Sequence, residues 1–124
     1  MKVETIYLSQ ENGFATAIKD WAAGKNIEAI VLDMKSVDLI DTVDGVAIFH
    51  ENHNISKDQD EIQEYLNNHN RPGYRIDING TLAATKSNFT MWIERNKTKR
   101  ILLLGAPEIA KNNNLKRFID SLGW

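Results

Sequence analysis

The stretch Tyr74-Arg-Ile-Asp-Ile-Asn-Gly-Thr-Leu82 decides the predicted fold. Apolar and charged side chains alternate from Tyr74 to Ile78, which is typical of a strand that buries one of its faces. Asn79-Gly-Thr81 predict a tight turn, and a helix-period pattern begins at Leu82. A strand that leads through a tight turn into a helix indicates an open α/β sheet. Such sheets bind ligands at the carboxyl ends of their strands.

Similar β-rich segments alternate with helix-period segments along the whole chain. The helix over 82–95 has the strongest pattern, and residues 35–44 fit either a short helix or an irregular crossover. Asn112-Asn-Asn114 are expected to interrupt the last helical region. The strands are predicted at 2–8, 27–32, 46–49, 74–78 and 99–104.

Strands separated by helices imply parallel pairing through right-handed crossovers. The fold class is therefore predicted to be α/β, as a three-layer flavodoxin-like (Rossmann-like) domain. Its five-stranded, mainly parallel sheet is expected to have the strand order 2-1-3-4-5. The length of the chain is typical of a single domain. Residues 1–124 are predicted to form one such domain.

The composition narrows the compartment and the classes of partner. The chain has no cysteine, which fits a reducing environment and excludes thiolate chemistry. Glu4 interrupts the apolar N-terminal run, so no signal core is predicted, and the apolar runs are too short for a bilayer. The expected location is cytoplasmic, without membrane insertion.

Charge is distributed unevenly along the chain. Residues 1–62 carry 5 Lys/Arg and 12 Asp/Glu, whereas residues 63–124 carry 10 Lys/Arg and 5 Asp/Glu. Such halves can pair internally, pair with a second copy, or present the basic half to an anion. The basic run 95–100 lacks interleaved aromatic residues in a chain of net charge −2, so nucleic acid is not an expected partner.

Polar residues follow several of the predicted strands and define a candidate ligand site. Arg75 is expected to bind an anion, Asp77 and Asn79 to orient polar groups, and Gly80 to let the backbone approach the ligand. In the predicted order 2-1-3-4-5, the direction in which strands are added to the sheet reverses between strands 1 and 3. Ligands of open α/β sheets bind at such a switch point. The candidate ligand-binding residues are Ser9, His50, Glu51, Arg75, Asp77, Asn79, Gly80 and Thr81.

This arrangement predicts a nucleotide-like or other anionic small ligand at the strand C-termini. His50 with Glu51 would close the pocket beside Ser9. An alternative interpretation makes Arg75 and Asp77 a structural ion pair, since they share one strand face.

These residues do not establish whether the chain is an enzyme, and they do not identify a cofactor. His50 is a candidate general base because histidine titrates near neutral pH. His50-x-x-His53 lacks a clear third ligand, so no metal site is predicted. The sequence also lacks the glycine-rich motifs of P-loop and Rossmann dinucleotide proteins and the G-x-S-x-G elbow.

Two partial family resemblances lie in the first two thirds of the chain. The segment from Val46 through Ser56 and Glu61 to Tyr74 resembles the layout of Toll/interleukin-receptor-type domains and nucleoside deoxyribosyltransferases. This resemblance implies a flavodoxin-like fold with a catalytic glutamate in the helix after a central strand, which makes Glu61 a second catalytic candidate. The segment 27–49 is similar to anti-sigma-factor-antagonist (STAS) domains, in which the position of Thr42 is commonly a phosphorylatable serine.

These resemblances define a competing hypothesis. In that view the chain is a non-enzymatic protein-interaction or homodimerisation module, of a STAS-like or TIR-like regulatory kind. Its acidic and basic halves would then bind a protein partner or a second copy.

Overall fold

The computed structural model describes residues 3–111 and 113–124. The predicted alternation of strands and helices is present throughout these residues. The predicted strand residue Lys2 and the first residue of the predicted interruption, Asn112, lie outside the described residues. The strands are β1 (Thr5–Leu8), β2 (Glu28–Val31), β3 (Gly45–His50), β4 (Gly73–Asp77) and β5 (Arg100–Gly105).

Two of the helices begin at side-chain caps that the sequence supplies. Asn12 accepts a 2.8 Å hydrogen bond from the Ala15 N–H at the first helix, and Ser56 with Gln59 forms a capping box at the third. The ambiguous segment 35–44 contains a single helical turn. The helices are α1 (Gly13–Ala23), α2 (Leu39–Thr42), α3 (Lys57–Asn67), α4 (Leu82–Asn96) and α5 (Asn113–Ser121), with a 3-10 helix over Pro107–Lys111.

The five strands form one all-parallel sheet, which confirms the predicted three-layer α/β flavodoxin-like class. The strand order is β2-β1-β5-β3-β4, which corrects the predicted order 2-1-3-4-5. β5 lies in the centre because Ile101-Leu-Leu-Leu104 is apolar on both faces and fully buried. β4 lies at an edge, where the alternation of Arg75 and Asp77 with apolar residues suits a strand that is less covered.

Helices cover the two sheet faces unequally. On one face, α1, α4 and α5 bury a large core that includes Phe14, Phe49, Phe89 and Phe118. The Phe49 ring makes edge contacts with the other three rings at centroid distances of 5.7–6.2 Å.

The opposite face carries only α2, which is 4 residues long, and α3, which is 11 residues long. We call this pair the α2/α3 layer. It leaves several apolar side chains above the sheet only partly buried, among them Tyr7, Leu32, Met34 and Ile62. This thin layer leaves room for a crevice between α3 and the sheet. In the described part of the chain, no helix is long and apolar enough to cross a membrane.

Candidate ligand-binding crevice

A crevice of about 540 Å³ opens on the α2/α3 side of the sheet, at the carboxyl ends of β1 and β5. This volume lies in the range of small-molecule sites. The loops after β1 and β2 form one side, the end of β5 forms the floor, and α3 forms the other side. The lining residues are Ser9, Gln10, Met34, Leu39, Ser56, Asp58, Gln59, Glu61, Ile62, Tyr65 and Gly105.

The topology places the crevice at this point of the sheet. The chain leaves β1 toward α1 and leaves β5 toward the 3-10 helix and α5, and all of these pack on the opposite face. The ends of β1 and β5 therefore lack a helix of their own on the α2/α3 side. Gly105 completes the floor, where the Phe14 ring approaches so closely that a Cβ atom would lie 2.5 Å from it.

The two sides of α3 have different surroundings. On one side, Leu66 is fully buried and Gln63 is 9% exposed. The Gln63 amide lies so close to Gly73 that a Cβ atom on residue 73 would be 2.5 Å from it. On the other side, Asp58, Glu61 and Tyr65 follow at helical spacing and line the crevice. The helix is therefore anchored through one side and presents polar and aromatic groups through the other.

Tyr65 is the large aromatic side chain of the crevice wall. It is 48% exposed, and its ring lies 4.7 Å from the His69 ring, centroid to centroid. His69 also hydrogen-bonds through Nδ1 with the Tyr65 carbonyl oxygen at 2.8 Å. The Tyr65 ring is therefore supported by a residue just beyond the end of α3 and keeps surface free for a ligand.

Among the described residues that line the crevice, the charged ones are Asp58 and Glu61, and both are acidic. Lys57 lies 3.9 Å from the Glu61 carboxylate, but its side chain is 88% exposed and it is not part of the lining. The apolar contribution comes from Met34, Leu39 and Ile62. The crevice thus combines an apolar floor with hydroxyl, amide and carboxylate groups at its rim.

A separate polar group of residues lies at the ends of β3 and β4, and we call it the β3/β4 cluster. His50 is 2% exposed and lies opposite Asp77 in the strand register. Its Nδ1 atom accepts a 3.1 Å hydrogen bond from the His53 backbone N–H, and the two imidazole rings stack at 5.1 Å. Burial lowers the pKa of His50 below its usual 6.5, while the Asp77 carboxylate acts in the opposite direction.

Arg75 is bound to α3 rather than to Asp77. Its Nε donates a 2.7 Å hydrogen bond to Gln63 Oε1, and its guanidinium forms an ion pair with Asp60. Arg75 therefore lies on the anchored side of α3, away from the lining of the crevice. The structure does not contain the alternative Arg75–Asp77 ion pair. Arg75 does have a structural role, because it pairs with the carboxylate of Asp60 instead.

The remaining predicted residues form the turn from β4 to α4. Asp77 Oδ1 accepts a 2.9 Å hydrogen bond from the Asn79 N–H, and the Asp77 carbonyl accepts from the Gly80 N–H at 3.0 Å. The Asn79 side-chain oxygen accepts from the Asn114 amide of α5, and Thr81 is the N-cap of α4. These contacts stabilise the turn and link it to α5.

The predicted site residues are therefore divided between two places. Ser9 lies in the crevice together with the catalytic candidate Glu61. His50, Glu51, Arg75, Asp77 and residues 79–81 belong to β3, to β4 or to the segments that follow these strands. The expectation that Ser9 would lie beside His50 is corrected by the strand order, because β5 stands between β1 and β3.

Several crevice residues were not among the predicted site residues. Ile62 and Tyr65 fall at the spacing of an ordinary apolar helix face, Leu39 lay in the segment of ambiguous structure, and Met34 directly precedes that segment. Gly105 is the last residue of β5, whose central position was not predicted from the sequence. Within residues 3–111 and 113–124, no group of three or more His, Asp or Glu side chains is arranged to hold a metal ion.

The fold and the crevice together define a three-layer α/β flavodoxin-like domain with a candidate small-molecule site. No protein-family model matches the chain, and no curated protein matches it in sequence. Its architecture is similar to the crystal structure of a candidate molybdenum carrier protein from Syntrophus aciditrophicus SB. The TM-score is 0.70 at 16% sequence identity, over 94% of each chain. At this identity the similarity supports the fold alone.

Proposed function

We propose that the chain binds a small, polar, ring-bearing molecule of nucleoside-like size in the crevice. The observation that carries this proposal is the position of the crevice at the carboxyl ends of β1 and β5, where open α/β sheets bind ligands. The name of the structural neighbour, as a candidate carrier of a molybdenum species, is consistent with a ligand-binding role.

The composition of the lining supports this class of ligand. Ligand sites combine an apolar surface with a few convergent polar groups. Here the partly exposed Tyr65 ring can stack on a flat ring system, while Ser9, Gln10 and Gln59 can hydrogen-bond its substituents. The Glu61 carboxylate stands in the same crevice and is the group best placed for proton transfer if the ligand is also a substrate.

The β3/β4 cluster is proposed as a second contact region for ligands that extend beyond the crevice. His50, Glu51, Asp77 and Thr81 stand at the same carboxyl edge of the sheet. Arg75 is not the primary anchor in this proposal, because Asp60 and Gln63 already engage its guanidinium.

The test is a thermal-shift screen against nucleosides, nucleotides, NAD, sugar phosphates and small amines. A ligand at 100 times its Kd stabilises the folded state by about 2.7 kcal/mol. That stabilisation raises the Tm of a domain of this size by several degrees. We expect the shift to be lost in Tyr65→Ala and kept in Met91→Ala, since Met91 is 53% exposed on α4 and lies outside the crevice. A flat screen, or an equal shift in both variants, would contradict binding in the crevice.

A second candidate function, homodimerisation, is favoured by the exposed edge of β2. Ala29, Ile30 and Val31 are uncharged and only partly buried, although they lie in a parallel sheet. The Leu32 N–H donates to the Leu8 carbonyl, so the backbone groups of Ala29 and Val31 point away from β1. Natural edge strands usually carry charges that prevent pairing, as Arg75 and Asp77 do on β4.

This edge matches a second copy of itself. In an antiparallel pair centred on Ile30, Ala29 lies opposite Val31 of the other copy, and both residues direct their N–H and C=O groups into the interface. Sedimentation velocity tests the pairing, and we expect a dimer that Ile30→Lys converts to a monomer with an unchanged circular dichroism spectrum. Lys25→Ala, outside the strand, should stay dimeric. A monomeric wild-type chain at high concentration contradicts this function.

A further inference from the structure

The crevice has a charge preference that the sequence did not reveal. We infer that its ligand is an organic cation, with an ammonium or guanidinium group on an apolar or ring-shaped body. This inference rests on the proposed function. It replaces the anionic ligand that the sequence predicted with the opposite charge.

The first argument is the charge of the lining. Asp58 and Glu61 stand at the crevice wall, and none of the lining residues that the structure describes is a lysine or an arginine. An anion that entered would lose its hydration next to two carboxylates, whereas a cation would replace that hydration with direct attraction.

The second argument is that the nearby arginines are engaged elsewhere, while Lys57 lies 3.9 Å from the Glu61 carboxylate on a side chain that is 88% exposed, so that a bound cation can take its place. Arg75 is bound by Asp60 and Gln63 on the other side of α3. The Arg71 Nε donates to the carbonyl groups of Ile40 and Val43, at 2.9 and 3.0 Å. Neither guanidinium can neutralise the crevice without breaking these contacts.

The third argument is that the N-terminus of α3 does not provide an anion site. The Gln59 N–H donates to Ser56 Oγ and the Ser56 N–H donates to Gln59 Oε1, both at 3.2 Å. Asp58 and Asp60 already place negative charge in the first turn, where it complements the helix dipole. The capping box and the two aspartates therefore reduce the attraction that a helix start usually has for an anion.

The fourth argument is the pairing of a carboxylate with an aromatic ring. Glu61 and Tyr65 are one helical turn apart on the crevice side of α3, and the Tyr65 ring is 48% exposed. An ammonium or guanidinium group can contact the ring face while it pairs with the carboxylate. Met34, Leu39 and Ile62 would then contact the apolar body of the same ligand.

The experiment uses pairs of probes that share a body and differ in charge. Phenethylamine is compared with 3-phenylpropionate, and cadaverine with glutarate, each titrated into the ¹⁵N-labelled full chain. The amide signals of Ser9, Gln10, Gln59 and Gly105 report binding in the crevice. We expect the cationic member of each pair to bind about tenfold tighter or more.

Two variants and a matched control connect that preference to the crevice. Glu61→Gln and Asp58→Asn, both at exposed positions, should each reduce the preference for the cation severalfold. Glu64→Gln lies on the same helix but faces the groove near Arg75, and it should leave the preference unchanged.

Each outcome supports or overturns a distinct claim. If the anions shift the same amide signals with equal or greater affinity, the charge inference is wrong while the proposed ligand site stands. If no probe of either charge shifts those signals at millimolar concentration, both the inference and the proposed function fail. Cation binding that survives the Asp58→Asn/Glu61→Gln double variant also overturns the inference.

Discussion

The Arg75 side chain bridges β4 and α3 through Gln63 and Asp60. Arg75→Ala is expected to lower the free energy of unfolding by about 1 kcal/mol, because exposed ion pairs contribute little. Affinity for a crevice ligand should not change, since Arg75 does not line the crevice. Urea denaturation of Arg75→Ala, of Asp60→Asn and of the variant that carries both changes gives the free energy of the Arg75–Asp60 interaction. Loss of crevice binding in folded Arg75→Ala would show that the guanidinium contacts the ligand after all.

The buried imidazole of His50 makes stability depend on pH. Because the pKa of His50 in the folded chain lies below its usual 6.5, the unfolded chain binds a proton more readily. The free energy of unfolding should therefore fall as pH decreases below 6.5, and should level off below the folded pKa. Urea denaturation between about pH 8 and about pH 5 measures this dependence.

The variant His50→Gln tests the origin of that pH dependence, since a glutamine can accept a hydrogen bond but does not titrate. We expect a flatter pH profile than that of the wild-type chain, even if the variant is less stable overall. His69→Gln, at an exposed position on the helix end, is the matched control and should keep the wild-type profile. An unchanged slope in His50→Gln would assign the pH dependence to other groups.

At the scale of the elements, α3 begins at the capping box that Ser56 and Gln59 form. Ser56→Ala removes the hydroxyl that accepts from the Gln59 N–H and should cost about 1 kcal/mol of stability. Ser87→Ala, at an exposed position within α4, should be neutral or slightly stabilising, because alanine is the better helix former. Thermal denaturation followed by circular dichroism compares the two. Equal effects would mean that the cap contributes nothing to α3.

Local patterns predicted the elements well because each depends on neighbouring residues. The alternation that predicted 74–78 appears as β4 at Gly73–Asp77, and the helix predicted over 82–95 appears as Leu82–Asn96. The order of strands depends on contacts between distant segments, which no local period encodes. The apolar run Ile101–Leu104 was the one signal that could have placed β5 in the centre, since an edge strand does not need two apolar faces.

At the scale of the whole molecule, the uneven charge of the sequence is partly satisfied within the chain. Asp44 pairs with Arg100, and Asp60 pairs with Arg75, so acidic residues of the first half contact basic residues of the second. Internal pairing was one of the arrangements that the sequence allowed. It leaves the edge of β2, rather than the charged surfaces, as the basis of the proposed dimer.

The strand order also explains why the candidate site was only partly predictable. With β5 inserted between β1 and β3, Ser9 and His50 belong to different regions of the same sheet edge. Ser9 and Glu61, chosen for separate reasons, instead line one crevice. Chemistry-bearing residue types could be recognised from the sequence, but their grouping required the three-dimensional arrangement.

One side of α3 attaches the helix to the sheet and the other side lines the crevice, so this chain could serve as a scaffold for engineered binding proteins. Leu66 and Gln63 hold the helix on the sheet, while Asp58, Glu61 and Tyr65 are exposed and take no part in the buried core. A combinatorial library at these exposed positions could therefore be screened for new ligands with little loss of folded protein. The same separation would let natural variation change the recognised molecule without changing the architecture.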